Sequence, residues 1–378
     1  MTRFFLSFFL LSFIYLPIAL NPAWAGFDEG VQASAEGDYE TAIREYLEAA
    51  EQGDPRAQYN LGIIYSAGQG VPVDQEEAFR WYLAAAEQGL VKAQMKVGSY
   101  YSIGTGTDMN GLEAIRWFSQ AADQGSTKAP WVLGAIYYNG RGVPVDYELA
   151  FQWYEKGALQ GDLEAQWELS GMYGDGKGVE VNIEQMLYWW RQAAAAGFDK
   201  AQYNLGVSYQ YGEHFAQDFD EAFKYYTLAA AQGMPEALNN LGLLTEYGQG
   251  TEQNYDQAFE LYKQAHEKGH AGGAANLGRF YYFAHSVPQD YDEARRLYEI
   301  GAEGGIWTAQ YGLGGLYIYG HGVDQDYVTA LFWFEVAAQG GNETVIQGRD
   351  QIRAALSPEQ VAEAQDRAAA WLAARQQP

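Results

Sequence analysis

The sequence predicts an all-α fold, a solenoid of eight full 36-residue helix–turn–helix repeats with half-units or caps at both ends. Three observations predict it. A Leu-Gly-x-x-Tyr signature starts at Leu61, Leu133, Leu205 and Leu313, with degenerate copies from Val97, Leu169, Leu241 and Leu277, and each start lies 36 residues beyond the last. Within a repeat the apolar residues fall at i, i+4, i+7 and i+8, which is the face of a helix and not of a strand. The 378 residues are 48% apolar and 16% aromatic, too rich for a disordered chain. A fixed period of this length marks stacked units, none of which can bury its own apolar stripe alone.

Residues 1–25 read as a secretory leader. Arg3 precedes an apolar run over residues 4–20, and Ala23-Trp24-Ala25 forms a small-x-small cleavage site before Gly26. The expectation is cleavage after Ala25 and a periplasmic or secreted mature chain without stable membrane insertion. An uncleaved N-terminal anchor is the alternative. Residues 26–342 are the repeat solenoid, with a leading half-unit over 26–54 and full repeats over 55–342. Residues 343–378 are capping helices. There Ser357 suits an N-cap, with Pro358 behind it and Gln360 at the third helical position. Val361, Ala364, Ala368 and Leu372 would then cover the apolar face of the last repeat.

Each repeat reads as two helices, A and B. In the first copy Ala57, Leu61, Ile64 and Tyr65 stripe helix A, and Gly68-Gln69-Gly70-Val71-Pro72 ends it. Asp74 opens helix B, and its column (Asn110, Asp146, Asn182, Asp218, Asn254, Asp290, Asp326) always offers a short side-chain acceptor, as an N-cap requires. Gly89 closes helix B where the chain must turn left-handed, and the same Gly returns once per period. Gly62 and Ala78 face each other without bulk, so the two backbones should approach closely. The column Tyr82, Phe118, Tyr154, Trp190, Tyr226, Tyr262, Tyr298 and Phe334 reads as the shared core.

Taken together, Leu-Gly-x-x-Tyr, then Gly-x-Gly-Val, then Asp, then Ala-x-x-Trp-Tyr-x-x-Ala-Ala-x-x-Gly resembles the Sel1-like repeat family, a relative of tetratricopeptide repeats. The segment from Leu356 to Gln360 also resembles the capping segment of its bacterial members. The resemblance implies a right-handed α/α superhelix acting as an adaptor in bacterial envelope assembly or signalling.

Composition narrows the function. A formal charge of −26, from 23 basic and 49 acidic residues, repels nucleic acid and anionic bilayers. There is no Cys, hence no disulfide, thiolate nucleophile or cysteine metal site. His266-Glu267-Lys268-Gly269-His270 spells the H-E-x-x-H of zinc proteases, whose chemistry needs both His on one helical turn. Gly269, however, occupies the helix-ending column, so the two His should not share a face. The Gly-x-Gly loops lack the Lys-Ser/Thr of a phosphate loop and follow a helix, so turns between helices explain them. Catalytic, metal and cofactor sites are therefore expected to be absent.

The variable positions are more informative. With Leu61 at the origin, steps of about 100° put Tyr59, Ile63 and Ser66 at roughly 160°, 200° and 140°, opposite the core. The Tyr59 column supplies Met95, Trp131, Trp167, Tyr203 and Tyr311, and the Ser66 column adds Tyr138 and Tyr282. A line of large aromatics on a non-core face reads as a ligand-lining groove, with lateral packing between A helices as the alternative. The leading expectation is an exported, non-enzymatic scaffold that binds a protein or peptide, with basic patches favoured, along its concave A-helix face. A cell-wall glycan binder is the runner-up, since Trp and Tyr faces also stack on sugars. A metal-dependent hydrolase is the remote third.

Overall fold

A computed structural model of the chain describes residues 25–375, so the predicted leader and cleavage site lie outside the described residues except for Ala25. The described chain is helical throughout, with twenty α-helices and one short 3-10 turn at Ala338–Gly340. It divides into two compact units, and the division falls between Val181 and Asn182, inside the fourth repeat.

The first unit holds α1 (Ala25–Glu36), α2 (Tyr39–Glu51), α3 (Pro55–Ala67), α4 (Gln75–Glu87), α5 (Val91–Ile103), α6 (Gly111–Asp123), α7 (Lys128–Asn139), α8 (Tyr147–Leu159) and α9 (Leu163–Asp175). The second holds α10 (Ile183–Ala195), α11 (Asp199–Tyr211), α12 (Phe219–Ala231), α13 (Pro235–Tyr247), α14 (Tyr255–Glu267), α15 (Ala271–Phe283), α16 (Tyr291–Glu303), α17 (Trp307–Tyr319), α18 (Tyr327–Ala337), α19 (Glu343–Ala354) and α20 (Pro358–Arg375). Within each unit, the helices up to α18 pack on their neighbours in sequence, odd-numbered A helices alternating with even-numbered B helices, and α19 and α20 both pack on α18.

The segment expected as a leading half-unit is a complete helix pair. Gly37-Asp38 joins α1 to α2 directly, where the next pair uses the longer run from Gly68 to Asp74. The shorter turn moves the helix-A glycine relative to the period, so Gly30 takes the place that Gly62 takes in the first full repeat. A Cβ on Gly30 would stand 2.7 Å from the Tyr46 ring, and a Cβ on Gly62 would stand 2.5 Å from the Tyr82 ring. This also revises the reason for the glycine. What the missing Cβ admits at Gly62 is an aromatic ring, not the opposing backbone. Tyr82, Phe118, Tyr154, Tyr226, Tyr262, Tyr298 and Phe334 are all buried, whereas Trp190 is half-buried.

The helix ends follow the sequence chemistry. Asp74, Asn110, Asp146, Asn182, Asp218, Asn254, Asp290 and Asp326 each accept a hydrogen bond from a backbone N–H in the first turn of the B helix they open. The glycines that follow the B helices have φ between 73° and 94°, a range that suits glycine. At the C-terminus, Ser357 Oγ accepts from Gln360 N while Gln360 Oε1 accepts from Ser357 N, which completes a capping box. Ala364 and Ala368 of α20 are buried beside Phe332 and Phe334, with Val361 and Leu372 packed against that cluster.

A second periodic device was not read from the sequence. Gln58, Gln94 and Gln166 in the first unit, and Gln202 and Gln310 in the second, are buried and donate Nε2 to the last-turn carbonyls of the preceding B helix. Gln88, Gln124 and Gln232 in turn donate to the Oε1 of Gln58, Gln94 and Gln202. The rungs satisfy carbonyls that a helix C-terminus leaves open, and they tie one repeat to the next.

Candidate functional site

An aromatic-walled cleft lies in the second unit, along α15, α17 and the start of α19. Its volume is about 540 Å³, within the range of small-ligand and side-chain pockets. Two buried B-helix rings lie beneath it. Tyr298 is seated against Gly278 and Gly312, where a Cβ would come within 2.8 and 2.7 Å of the ring. Phe334 is seated in the same way between Gly314 and Gly348. Gly315, one residue along, has nothing within 4 Å of its Cβ position, and the missing side chain there leaves the cleft open.

Aromatic side chains form the walls. Trp307, Tyr311, Phe283 and Tyr319 are 42%, 39%, 57% and 65% exposed. Tyr311 leans on Phe334 with ring centroids 5.1 Å apart. Tyr282 is held in place: its hydroxyl shares a 3.0 Å hydrogen bond with His321 Nδ1, and its ring meets Tyr291 edge-on at 5.4 Å. Burial pushes the Tyr282 phenol above its ordinary pKa, so the ring presents a neutral hydroxyl.

One edge is fixed by charge. Arg279 makes two 2.6 Å hydrogen bonds to the carboxylate of the buried Glu246, which also accepts from the Tyr262 hydroxyl at 2.7 Å. Burial opposes the charge on Arg279, yet the bidentate carboxylate holds its pKa above the ordinary value. Burial and the adjacent Glu246 together push the Tyr262 phenol up.

The predicted groove residues separate into several environments. Tyr282 and Tyr311 come together in the cleft just described. Trp131 is half-buried and lines a smaller cleft between α5 and α7, with its indole Nε1 enclosed and without a hydrogen-bond partner. Tyr138 accepts a 2.8 Å hydrogen bond from Lys177 Nζ in the loop of the next repeat. Tyr59 leans on Tyr82 at 5.4 Å and Tyr203 on Tyr226 at 5.7 Å. Met95 packs against the cluster around Leu133, Ile63 is 36% exposed, and Trp167 is half-buried on α9. Phe283, Trp307, Tyr319, Gly312 and Gly315 were not singled out from the sequence. The available signal was Gly315, a glycine in the Ile63 column beside two exposed aromatic columns.

The H-E-x-x-H segment is split. His266 lies in the last turn of α14, Gly269 turns the chain at φ 84°, and His270 is the N-cap of α15 with Nδ1 accepting from Gly273 N. The two imidazoles therefore do not share a helical turn. No group of three or more His, Cys, Asp or Glu positioned for a metal occurs among the described residues.

The Sel1 repeat matches at residues 55–90, 91–126, 131–162, 163–198, 199–234, 235–270, 271–306 and 307–342. The chain belongs to the Sel1 repeat family. Two solved structures support the same assignment. A protective antigen present in uropathogenic Escherichia coli strains, which displays the same repeat fold, is 31% identical over 92% of this chain and 83% of its own, with a TM-score of 0.55. A Sel1 repeat protein from Oxalobacter formigenes is 30% identical over 82% of this chain and 90% of its own, with a TM-score of 0.59. No curated protein matches the chain. The Sel1 repeat is a scaffold fold, in a non-catalytic family typically engaged in protein–protein interaction. Among the described residues no helix is long and apolar enough to cross a membrane.

Proposed function

We propose that this chain is an exported, non-enzymatic Sel1 scaffold that captures a protein or peptide segment on the exposed face of its A helices. The observation that carries the proposal is the aromatic cleft of α15, α17 and α19. Solvated Trp307, Tyr311 and Tyr319 stand over buried rings, around an opening left by Gly315. Rings needed only for packing would be covered. Rings held partly solvated by a rigid floor offer contact area at little cost in rotamer freedom, which is how binding anchors work. The acidic surplus in the sequence speeds encounter with a basic partner and adds less to its residence time.

The family supports a role in envelope assembly or signalling, and the leader over residues 1–25 supports export. Intact-mass analysis of protein from an envelope fraction should then find Gly26 at the N-terminus. The binding reading is tested by capture from envelope extract with the mature protein, identification of the captured partner, and titration with it. Trp307→Ala and Tyr311→Ala should each weaken that binding by about 30-fold or more while leaving the far-UV melting curve in place. Unchanged affinity in both variants defeats the cleft as the binding site. Saturable binding of muropeptides or cell-wall glycan at the same residues would replace the protein partner with a carbohydrate.

A further inference from the structure

Between four pairs of successive A helices an aromatic ring fills the space above the B-helix ring, and it comes from one of two positions. One is the residue four beyond the repeat glycine, the Ser66 column. The other is the residue two beyond that glycine in the next repeat, the Ile64 column. Between α3 and α5 the filler is Tyr100, 8% exposed and 5.5 Å from the Tyr82 ring. Between α13 and α15 it is Phe280, fully buried and 5.5 Å from the Tyr262 ring. Between α7 and α9 it is Tyr138, and between α15 and α17 it is Tyr282. In both of these last cases the hydroxyl reaches a loop residue 39 positions on, Lys177 or His321.

Between α5 and α7 the filler is missing. The two positions hold Ser102 and Ile136, and the ring below is Phe118. Ser102 Oγ turns back to donate to Gly98 O. A cleft of about 310 Å³ remains, walled by Ser102, Ile103, Phe118, Trp131 and Ile136, with Arg141 at the rim. Arg141 stands 39 positions after Ser102, as Lys177 does after Tyr138. It is exposed and holds no ion pair among the described residues. Ile103 and Met109, 70% and 67% exposed, extend the apolar rim, and Met109 lines a second recess shared with Arg141.

We infer that this cleft binds a tyrosine side chain of a partner segment, which takes the place that Tyr138 and Tyr282 occupy elsewhere and accepts a hydrogen bond from Arg141. The occupant is specified by the protein's own repeats. The helices, the ring below and the basic or imidazole loop group recur, and only the phenol is absent. An apolar ring satisfies Phe118, Trp131 and Ile136, while the guanidinium favours a ring that carries an oxygen acceptor over one that does not. The inference extends the proposal that the A-helix face takes a peptide, but it concerns a different cleft in a different unit.

The test is a titration of the mature protein with N-acetyl-tyrosinamide and N-acetyl-phenylalaninamide, read by saturation-transfer NMR on the probe. The tyrosine probe should bind saturably and about three- to tenfold more tightly than the phenylalanine probe. Arg141→Ala should remove that preference while retaining the weaker binding. Ser102→Tyr should fill the cleft from within, abolish binding of both probes and raise the melting temperature. Absence of binding to the unaltered protein, equal affinity for the two probes, or undiminished binding to a folded Ser102→Tyr variant would each overturn the inference. Arg141→Ala reads the hydrogen bond even if Ser102→Tyr does not fold. Because the probes are free amino-acid derivatives, these results do not depend on partner capture at Trp307 and Tyr311, so either reading can fail alone.

Discussion

Gly171→Ala should stabilise the protein and Gly134→Ala should not, although both put a methyl group on an A helix of the first unit. At Gly134 the added Cβ would stand 2.5, 2.6 and 2.9 Å from Cδ1, Cε1 and Cγ of Tyr154, a ring only 2% exposed. Ordinary contact needs about 3.4 Å or more, so the ring or the helix must withdraw by nearly an ångström within a close-packed interior. Overpacking of this kind costs about 1–3 kcal/mol. Replacing helical Gly by Ala returns about 1 kcal/mol through backbone entropy, which leaves Gly134→Ala neutral to about 2 kcal/mol destabilised. At Gly171 nothing lies within 4 Å of the Cβ position and the residue is exposed. There the backbone gain stands alone, and the variant should be about 0.5–1 kcal/mol more stable.

The backbone term is common to both variants, so their difference isolates the steric term at about 1–3 kcal/mol. Urea unfolding followed by far-UV circular dichroism measures it from the midpoints, provided the slopes agree. Heating should separate the variants by about 2–4 °C for each kcal/mol in a unit of this size. Two variants that both stabilise by the same amount would refute the claim that the repeat glycine exists to seat a ring.

Other consequences are open to direct measurement. Arg279→Leu strands the buried Glu246 carboxylate and should cost about 3 kcal/mol or more, read as a lower urea midpoint; a loss under 1 kcal/mol would mean the pair is dispensable. Asp54, the N-cap of α3, is pushed up by burial, but its hydrogen bonds and ion pair with Arg56 outweigh this and hold its pKa below the ordinary carboxylate value. Its stabilising contribution is therefore complete above the unfolded value of about 3.9 and fades as pH falls through the lower folded value. Asp54→Asn should flatten the acid limb of the stability profile, and an unchanged limb would contradict the assignment. Zinc should leave the melting temperature unchanged, because His266 ends one helix and His270 begins another. A zinc-dependent rise abolished by His266→Ala would reopen the metal hypothesis.

The sequence made the solenoid legible because every periodic constraint is local. An N-cap acceptor, a left-handed Gly and an i, i+4, i+7 stripe each report on a single helix, and all three recur where the period places them. Local chemistry also exposed the H-E-x-x-H match as a break between helices. What stayed hidden involves partners on other helices, 8 to 33 residues away. The wheel of helix A put Tyr59 opposite Leu61, yet the Tyr59 ring still reaches Tyr82, because an A helix touches its own B helix and its neighbours in the stack at once. The buried glutamines donate to carbonyls of the preceding B helix, partners that the periodicity of their own helix does not contain. Glu246 and Arg279 occupy columns that elsewhere hold Ser66 and Ile63, so nothing in their own helices announces the pair.

That asymmetry bears on how such a fold acquires a site. The ring-seating column holds Gly in seven of the eight repeats, with Ser170 in the fourth, and a methyl group at any of those seven would meet a buried aromatic at about 2.5–2.9 Å and disturb the core. The next position is turned by about 100°, and it can vary widely because it meets the outside. It holds Ile63, Ser99, Ala135, Gly171, Val207, Leu243, Arg279 and Gly315 in the eight repeats. The same holds for the Ser66 column, where Tyr138 closes the space between A helices, whereas Ser102, paired with Ile136 instead of an aromatic, leaves it open. A substitution in these two columns can therefore open or close a cleft over a floor it leaves intact. The two clefts arise in this way, one beside Gly315 and the other beside Ser102. If so, Gly315→Leu should fill the first as Ser102→Tyr fills the second, each blocking its own cleft while the helical content of the whole chain stays unchanged.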